Sequence, residues 1–261
     1  MVNLPSQTRQ HKNNIILIHG LGLGDWVFNE QFVPYFQSQG YEVTLITLPG
    51  HSAQDDAGTR QHISLQRCIA HVKNTIKQIT GPYVLIGMSM GGGICQHIMA
   101  DAQGLEQLKG AILLSSVPPT NSLVFTLRMC QKMAVQSPDV LIDFFCNKTN
   151  QKLIFSPHSL THMPAKTIDH FVNQIIPGFA LLEYEVFFQD LFKKAPQINH
   201  PLMVIGGQED ALFPAEVTQF LASYYNTTPH ILPDLGHMIP IETNYLHSLQ
   251  VMEPFLHEVF R

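Results

Sequence analysis

Residues 82–93 read Pro82-Tyr83-Val84-Leu85-Ile86-Gly87-Met88-Ser89-Met90-Gly91-Gly92-Gly93. The run up to Ile86 is short, apolar and bounded by proline and glycine, which marks a strand buried on both faces. From Met90 onward the apolar spacing is helical. Between them lies Gly-x-Ser-x-Gly, in the strand–turn–helix setting that this pattern requires. So sharp a turn forces Ser89 into an unfavourable backbone conformation. Side chains two residues either side would strike the neighbouring strand and helix, so glycine is needed at 87 and 91. Gly92 and Gly93 extend the same freedom. Ser89 then projects its hydroxyl from the C-terminal edge of a sheet, where open α/β sheets bind ligands. The helix opening at Met90 points its first amides toward that spot.

Outward from this stretch, five further runs read as strands. They are Asn14–Gly20, Tyr41–Thr47, Gly110–Ser115, Pro201–Gly206 and the shorter Pro229–Pro233. Helical patterns lie between them, at about 27–38, 64–79, 90–103, 214–224 and 243–259. Strands alternating with helices imply a parallel sheet with right-handed crossovers. The expected fold class is α/β, with a mostly parallel sheet of about six strands and helices on both faces.

The interval between the fourth and fifth strands breaks that rhythm. Residues 119–198 hold helix signals and no convincing strand. Ser137-Pro138 is an N-cap followed by proline at the first helical position. Met163-Pro164 opens another helix, closed by Pro177-Gly178, and Phe179–Lys194 has helical spacing. The expected organisation is a core of residues 1–118 and 199–261, with a helical cap at 119–198. Nine of the sixteen Phe fall inside the cap: Phe125, Phe144, Phe145, Phe155, Phe171, Phe179, Phe187, Phe188 and Phe192. Helices that small cannot hide so many rings internally, so some are expected to roof an apolar cleft on the core.

Composition narrows the function classes. The 261 residues carry 15 Lys+Arg against 20 Asp+Glu, a net charge of −5, and no basic run. Nucleic-acid binding is therefore not expected. Hydrophobic residues make up 45% and charged residues only 13%, which fits a large core rather than a disordered chain. Cys68, Cys95, Cys130 and Cys146 are scattered, with no C-x-x-C, and read as reduced thiols. Neither a zinc pattern nor an H-E-x-x-H is found. The N-terminus lacks an apolar h-region and no run of 18 apolar residues occurs, so the expected location is cytoplasmic, without a membrane span.

A serine hydroxyl is a weak nucleophile and needs an adjacent base. The sheet puts that base in the loop after the last strand, where Asp234-Leu235-Gly236-His237-Met238 lies. His237 can take a proton and return it near neutral pH. Its imidazole needs an acceptor, expected after the fifth or fourth strand. After the fifth come Gln208-Glu209-Asp210, and after the fourth no carboxylate follows. Asp210 is favoured over its neighbour Glu209 on loop geometry. An oxyanion would need two aimed donors. The backbone N–H of Met90 is one. The other belongs to the glycine-rich loop His19-Gly20-Leu21-Gly22-Leu23-Gly24, with Leu21 as the expected donor. A dinucleotide fingerprint would need glycine at position 25, where Asp25 stands, and no Walker lysine follows. No cofactor and no metal are expected.

Taken together, His19-Gly20, Leu48-Pro49-Gly50-His51-Ser52, the Gly87–Gly91 motif, Asp210 and Gly236-His237 resemble the α/β-hydrolase fold family. The order Ser89, Asp210, His237 is that family's order. The resemblance spans nearly the whole chain, with 119–198 in the place of the family's cap. It implies a serine hydrolase acting on small to medium apolar acyl esters through an acyl-enzyme. Most members carry an antiparallel hairpin before the first parallel strand; with about a dozen residues available, it is expected to be absent or short. Within the family the chain is similar to small carboxylesterases, including pimeloyl-acyl-carrier-protein methyl ester esterases. An acidic carrier protein would call for cations on the cap. Arg128 with Lys132, and Lys148 with Lys152, offer them at i,i+4, though a solvated helix face has the same pattern. Two other readings stay open on the same scaffold: a non-hydrolytic ligand binder, and perhydrolysis or C–C bond hydrolysis by the same residues.

Overall fold

The computed structural model of the protein describes residues 12–52, 54–136, 138–145, 165–193 and 196–261. Six strands form one sheet: β1 Asn14–Ile18, β2 Glu42–Ile46, β3 Tyr83–Met88, β4 Leu108–Leu114, β5 Leu202–Gly207 and β6 Pro229–Leu232. Their order is β2-β1-β3-β4-β5-β6, and every neighbouring pair is parallel. The α/β-hydrolase fold read from the sequence is the fold observed. An N-terminal hairpin would fall largely on residues outside those described.

The inner strands β1, β3, β4 and β5 are largely apolar on both sides because helices cover both faces. Along β1, Ile16 and Ile18 join one core cluster while Ile15 and Leu17 join the other. Strand β3 divides in the same way: Tyr83 and Leu85 on one face, Val84, Ile86 and Met88 on the other. This is the period-2 alternation of a pleated strand with two dry faces. On the first face lie α4 (Leu65–Ile76) and α5 (Met90–Ala100). Helix α4 is capped by Ser64, whose hydroxyl accepts the Arg67 N–H at 3.2 Å, and it buries Leu65, Cys68, Ile69, Val72 and Ile76. That spacing is one stripe of a 3.6-residue helix. The second face is covered by α1 (Trp26–Asn29), α2 (Phe32–Ser38) and the last helix.

The sequence predicts a single helix over 27–38, and the structure has two. Pro34 accounts for the break. A continuous helix would need a Pro34 N–H bonded to the Glu30 carbonyl, and the ring would strike that carbonyl instead. Pro34 is tolerated in the first turn of α2, where the amide has no helical partner. The short helix α3 (Ala57–Arg60) carries no apolar stripe for periodicity to find; Asp56 caps it through the Thr59 N–H.

Between β4 and β5 the described residues form helices only: α6 (Ser122–Gln136), α7 (Pro138–Phe145), α8 (Ala165–Val172) and α9 (Ala180–Phe188). Both ends of this segment leave the sheet at one place, since Phe192 N–H donates to the Pro119 carbonyl at 3.1 Å. Glu185 of α9 accepts the Leu65 N–H at the start of α4 at 2.6 Å. Phe125, Phe179 and Phe187 are buried in the core cluster of the first face, and Phe171 in that of the second. Phe155, Cys146, Lys148 and Lys152 lie outside the described residues. After β5 come α10 (Ala215–Tyr224), then β6, a 3-10 turn at Ile239–Ile241, and α11 (Tyr245–Val259).

The strand order creates a crevice. From β1 the chain passes outward to β2, then returns across β1 to β3. Helices α1 and α2 after β1 cover one face, and α5 after β3 covers the other. The loops leaving β1 and β3 therefore diverge, which opens a crevice at the C-terminal edge.

Candidate active site

Ser89 occupies the tip of the turn between β3 and α5, with φ 55° and ψ −119°. Its N–H donates to the Leu114 carbonyl at 2.9 Å, which seats the turn on β4. Two glycines make the turn possible. A Cβ on Gly87 would lie 2.3 Å from the Gly91 carbonyl oxygen, and one on Gly91 would lie 2.2 Å from that of Ile18. Ile18 pairs with Gly87 across the sheet, so β1 ends level with the turn. Just beyond it, the Cβ position of Gly20 is 3.0 Å from Ser89 Cβ. The loop of His19 to Leu23 thus lies against the serine. Met90 opens α5, so its amide is one of the first-turn N–H groups without an intrahelical partner.

His237 comes from the loop after β6 and Asp210 from the loop after β5, on the same sheet edge. His237 Nδ1 donates to Asp210 Oδ2 at 2.9 Å. The other carboxylate oxygen, Oδ1, accepts the backbone N–H groups of Leu212 and Phe213 at 2.9 and 2.8 Å. Both oxygens are therefore held, and Asp210 is fully buried (0% exposed). Glu209 is exposed; its contribution is structural, its N–H donating to the Leu235 carbonyl at 2.9 Å. Because Asp210 takes the Nδ1 proton, Nε2 of His237 is left as the acceptor. His237 is 4% exposed and Ser89 is 9% exposed. Among the described residues no hydrogen bond joins Ser89 to His237; such contacts commonly close only when substrate is bound. The Phe213 ring stands 5.4 Å from the imidazole, and Phe187 of α9 stacks on Phe213 at 6.4 Å. Rings from the segment between β4 and β5 thus reach the histidine through one intermediary.

Three buried groups have roles at the site that the sequence does not assign, although His19 and His51 stand in segments that carry the family resemblance. Glu242 accepts the Gly236 N–H with both oxygens, at 2.8 and 2.7 Å, and so grips the residue before His237. Burial lifts its carboxyl from 4.5 to about 8, aided by the nearby Asp210 charge and opposed by the Gly236 and Met238 amides. A carboxylate five residues beyond a site histidine is the only signal the chain offers for it. His19 and His51 are the other two. Each lies beside a turn that contains glycine, and their partners are backbone groups, which no side-chain pattern announces. Among the described residues no group of three or more His, Cys, Asp or Glu is arranged to hold a metal ion. None of the helices there is long and apolar enough to cross a membrane.

The chain matches the Hydrolase_4 family (serine aminopeptidase, S33) over residues 9–244. It belongs to that family. It is thus a hydrolase on the α/β-hydrolase fold. The chain is also similar to the pimeloyl-[acyl-carrier protein] methyl ester esterase of Xanthomonas axonopodis pv. citri, 25% identical over 225 residues, covering 78% of this chain and 79% of that one. Two solved structures show the same fold. A thermophilic esterase from Thermogutta terrifontis superposes with a TM-score of 0.63 at 21% identity, covering 94% of this chain and 90% of that one. A monoacylglycerol lipase from Paleococcus ferrophilus gives 0.66 at 17% identity, covering 94% of each.

Proposed function

We propose that this hydrolase cleaves carboxylic esters of small to medium apolar acyl groups, with Ser89, His237 and Asp210 as a catalytic triad. The observation that carries the reading is the His237–Asp210 hydrogen bond at 2.9 Å, buried on the edge that also presents Ser89. Ser89 Oγ attacks the acyl carbon while His237 Nε2 takes its proton. The carbonyl oxygen becomes an oxyanion, received by the N–H groups of Leu21 and Met90. Collapse breaks the bond to the leaving alkoxide, and His237 returns the proton to it. Water then attacks the acyl-serine, His237 takes the water proton, and the acid leaves as Ser89 regains its hydrogen. Asp210 holds the imidazole in the Nδ1–H tautomer and steadies its cation. The helices of 119–198, read as a cap, supply the apolar roof through Phe187 and its neighbours.

The test is hydrolysis of p-nitrophenyl esters from acetate to decanoate, with Ser89→Ala as control. Ser89→Ala should lower kcat by about 10³ or more. Near-normal turnover in that variant would defeat the assignment. Labelling of Ser89 by a fluorophosphonate separates a hydrolase from a ligand binder on the same scaffold.

A second, narrower reading is a methyl ester esterase acting on an acyl chain tethered to a carrier protein. It is favoured by the 25% identity to such an esterase over most of both chains. Arg128 lies on the solvent side of α6, and with Lys132 it lines a cavity of about 460 Å³ shared with Glu216 of α10. Methanol release from a carrier-linked methyl ester, compared with the free methyl ester, decides between the broad and the narrow reading.

A further inference from the structure

The loop of residues 19–23 has little regular structure, yet the proposed reaction needs its amide aimed at one point in space. Two buried histidines hold it there. His19 Nδ1 faces the Gly20 carbonyl at 2.9 Å, and its Nε2 accepts the Leu48 N–H at 3.0 Å. His51 Nδ1 faces the Pro49 carbonyl at 2.9 Å, and its Nε2 accepts the Gly22 N–H at 3.1 Å. A carbonyl only accepts and a backbone N–H only donates. Both rings must therefore be neutral, with the proton on Nδ1. The two links cross: His19 reaches from the first loop into the second, and His51 reaches back. The rings lie 4.9 Å apart, both are nearly inaccessible, and Phe179 stacks on His51 at 4.0 Å.

We infer that His19 and His51 form a reciprocal clasp that positions the Leu21 amide for the oxyanion. The clasp rests on the triad reading of the site. Peptide geometry supplies the aim. In a trans peptide the C=O and N–H point to opposite sides. The Gly20 carbonyl is fixed by His19 Nδ1–H and by the Leu23 N–H at 3.3 Å, which fixes the direction of the Leu21 N–H. The next amide, Gly22 N–H, is fixed by His51, and the Gly22 carbonyl takes the Ile176 N–H at 2.9 Å. The peptides on either side of Leu21 are thus anchored, and the residue is left no freedom to turn. Both histidines act as positioning residues; neither touches the reacting atoms.

Protonation of either Nε2 would set an N–H against an N–H and open the clasp. The surroundings oppose that. Burial lowers His19 to about 4, against the Gly20 carbonyl and the Asp25 charge, which favour the cation. Burial, the neighbouring His19 and the Arg60 guanidinium push His51 well below the ordinary histidine value, against the Pro49 carbonyl.

Two variants and one spectrum test the clasp. His51→Leu keeps bulk and removes the acceptor, while His51→Gln returns an amide oxygen near the Nε2 position. With a p-nitrophenyl ester, His51→Leu should lose about 10- to 100-fold in kcat with KM changed less than about twofold, because a donor is misaimed rather than removed. His51→Gln should recover most of that loss. A trifluoromethyl ketone, whose adduct with Ser89 carries the oxyanion, should weaken in proportion to kcat/KM across both variants. A merely structural role would lower the folded fraction, and apparent kcat with it, but would leave the inhibition constant of the trifluoromethyl ketone unmoved. In the wild-type chain, nitrogen-15 NMR should find the His19 and His51 imidazoles, besides that of His237, with Nδ1 protonated and Nε2 bare, and those two still neutral at about pH 5, below the ordinary titration of histidine. Unchanged kcat in folded His51→Leu, or protonated Nε2 in those rings, would overturn the clasp. Full esterase activity in Ser89→Ala would instead defeat the triad reading, and the NMR tautomers would still decide the clasp.

Discussion

Asp210 divides its two oxygens between different tasks: Oδ2 meets His237 Nδ1 at 2.9 Å, while Oδ1 is held by the amides of Leu212 and Phe213. The carboxylate is thus anchored to its own loop before it orients the imidazole. The neighbouring Glu209 is exposed to solvent. This asymmetry sets a sharp contrast between two adjacent acids. Asp210→Asn keeps the size but presents an N–H or a neutral oxygen to the ring. It should lower kcat on a p-nitrophenyl ester by about 10³- to 10⁴-fold, the scale for losing the imidazole tautomer. Glu209→Gln should change kcat less than about twofold. The opposite ranking in steady-state assays would show that Glu209, not Asp210, serves His237.

The backbone of Ser89 invites a separation of stability from activity. At φ 55° and ψ −119° it holds a conformation that suits glycine at the first inner position of a type II′ turn. A non-glycine residue there stores about 1–3 kcal/mol. Glycine would release that strain, at an entropic cost of about 0.5–1 kcal/mol from its freer unfolded chain. The strain is the larger effect, so Ser89→Gly should unfold at higher urea than Ser89→Ala, by about 1 kcal/mol, although both lack the hydroxyl. Ser89→Ala being the more stable of the two would mean that the turn is unstrained.

Much of this arrangement is legible in the chain. The inner strands announce themselves because each is a largely apolar run stopped by glycine, proline or a polar turn, whereas the edge strands β2 and β6 are only half-buried and carry Glu42, Thr44 and His230. The Gly87–Gly91 motif fixes the turn because only glycine tolerates atoms as near as 2.2–2.3 Å to a Cβ position. The break between α1 and α2 is written in Pro34, but periodicity alone runs straight through it. The roles of Glu242, His19 and His51 are not legible for a different reason. Their partners are the backbone groups of Gly236, Gly20, Leu48, Pro49 and Gly22. Every residue carries such groups, so only the folded chain reveals which ones meet. The segment between β4 and β5 reads as helical and is helical throughout its described elements, while Lys148 and Lys152 fall outside them.

Glu242 should make stability depend on pH in an unusual direction. Its carboxyl is raised by burial from 4.5 to about 8 in the folded chain. The native state therefore holds the proton more tightly than the unfolded chain does. By linkage, its contribution is fully present below about pH 4.5 and is lost as pH rises toward about 8. Glu242→Gln cannot ionise, and its amide oxygen can still accept the Gly236 N–H. The Tm of Glu242→Gln minus that of wild type should therefore increase steadily from pH 5 to pH 8. A difference that is flat with pH would mean that Glu242 is already ionised at little cost.

Charge on α6 separates the two substrate readings. Arg128 and Lys132 line one cavity one helical turn apart, and the Arg128 guanidinium sits 5.8 Å above the Phe125 ring. Neither touches the triad, so a small neutral ester should not sense them. An acidic carrier protein should, because complementary charge mainly accelerates encounter and is screened by salt. Arg128→Glu with Lys132→Glu should leave kcat/KM for p-nitrophenyl butyrate within about twofold. The same pair should lower kcat/KM for a carrier-linked methyl ester by about 10-fold or more at low salt, with the gap narrowing as salt is raised. Equal effects on both substrates would assign these cations to folding, and no effect on either would leave the broad esterase reading as the one supported.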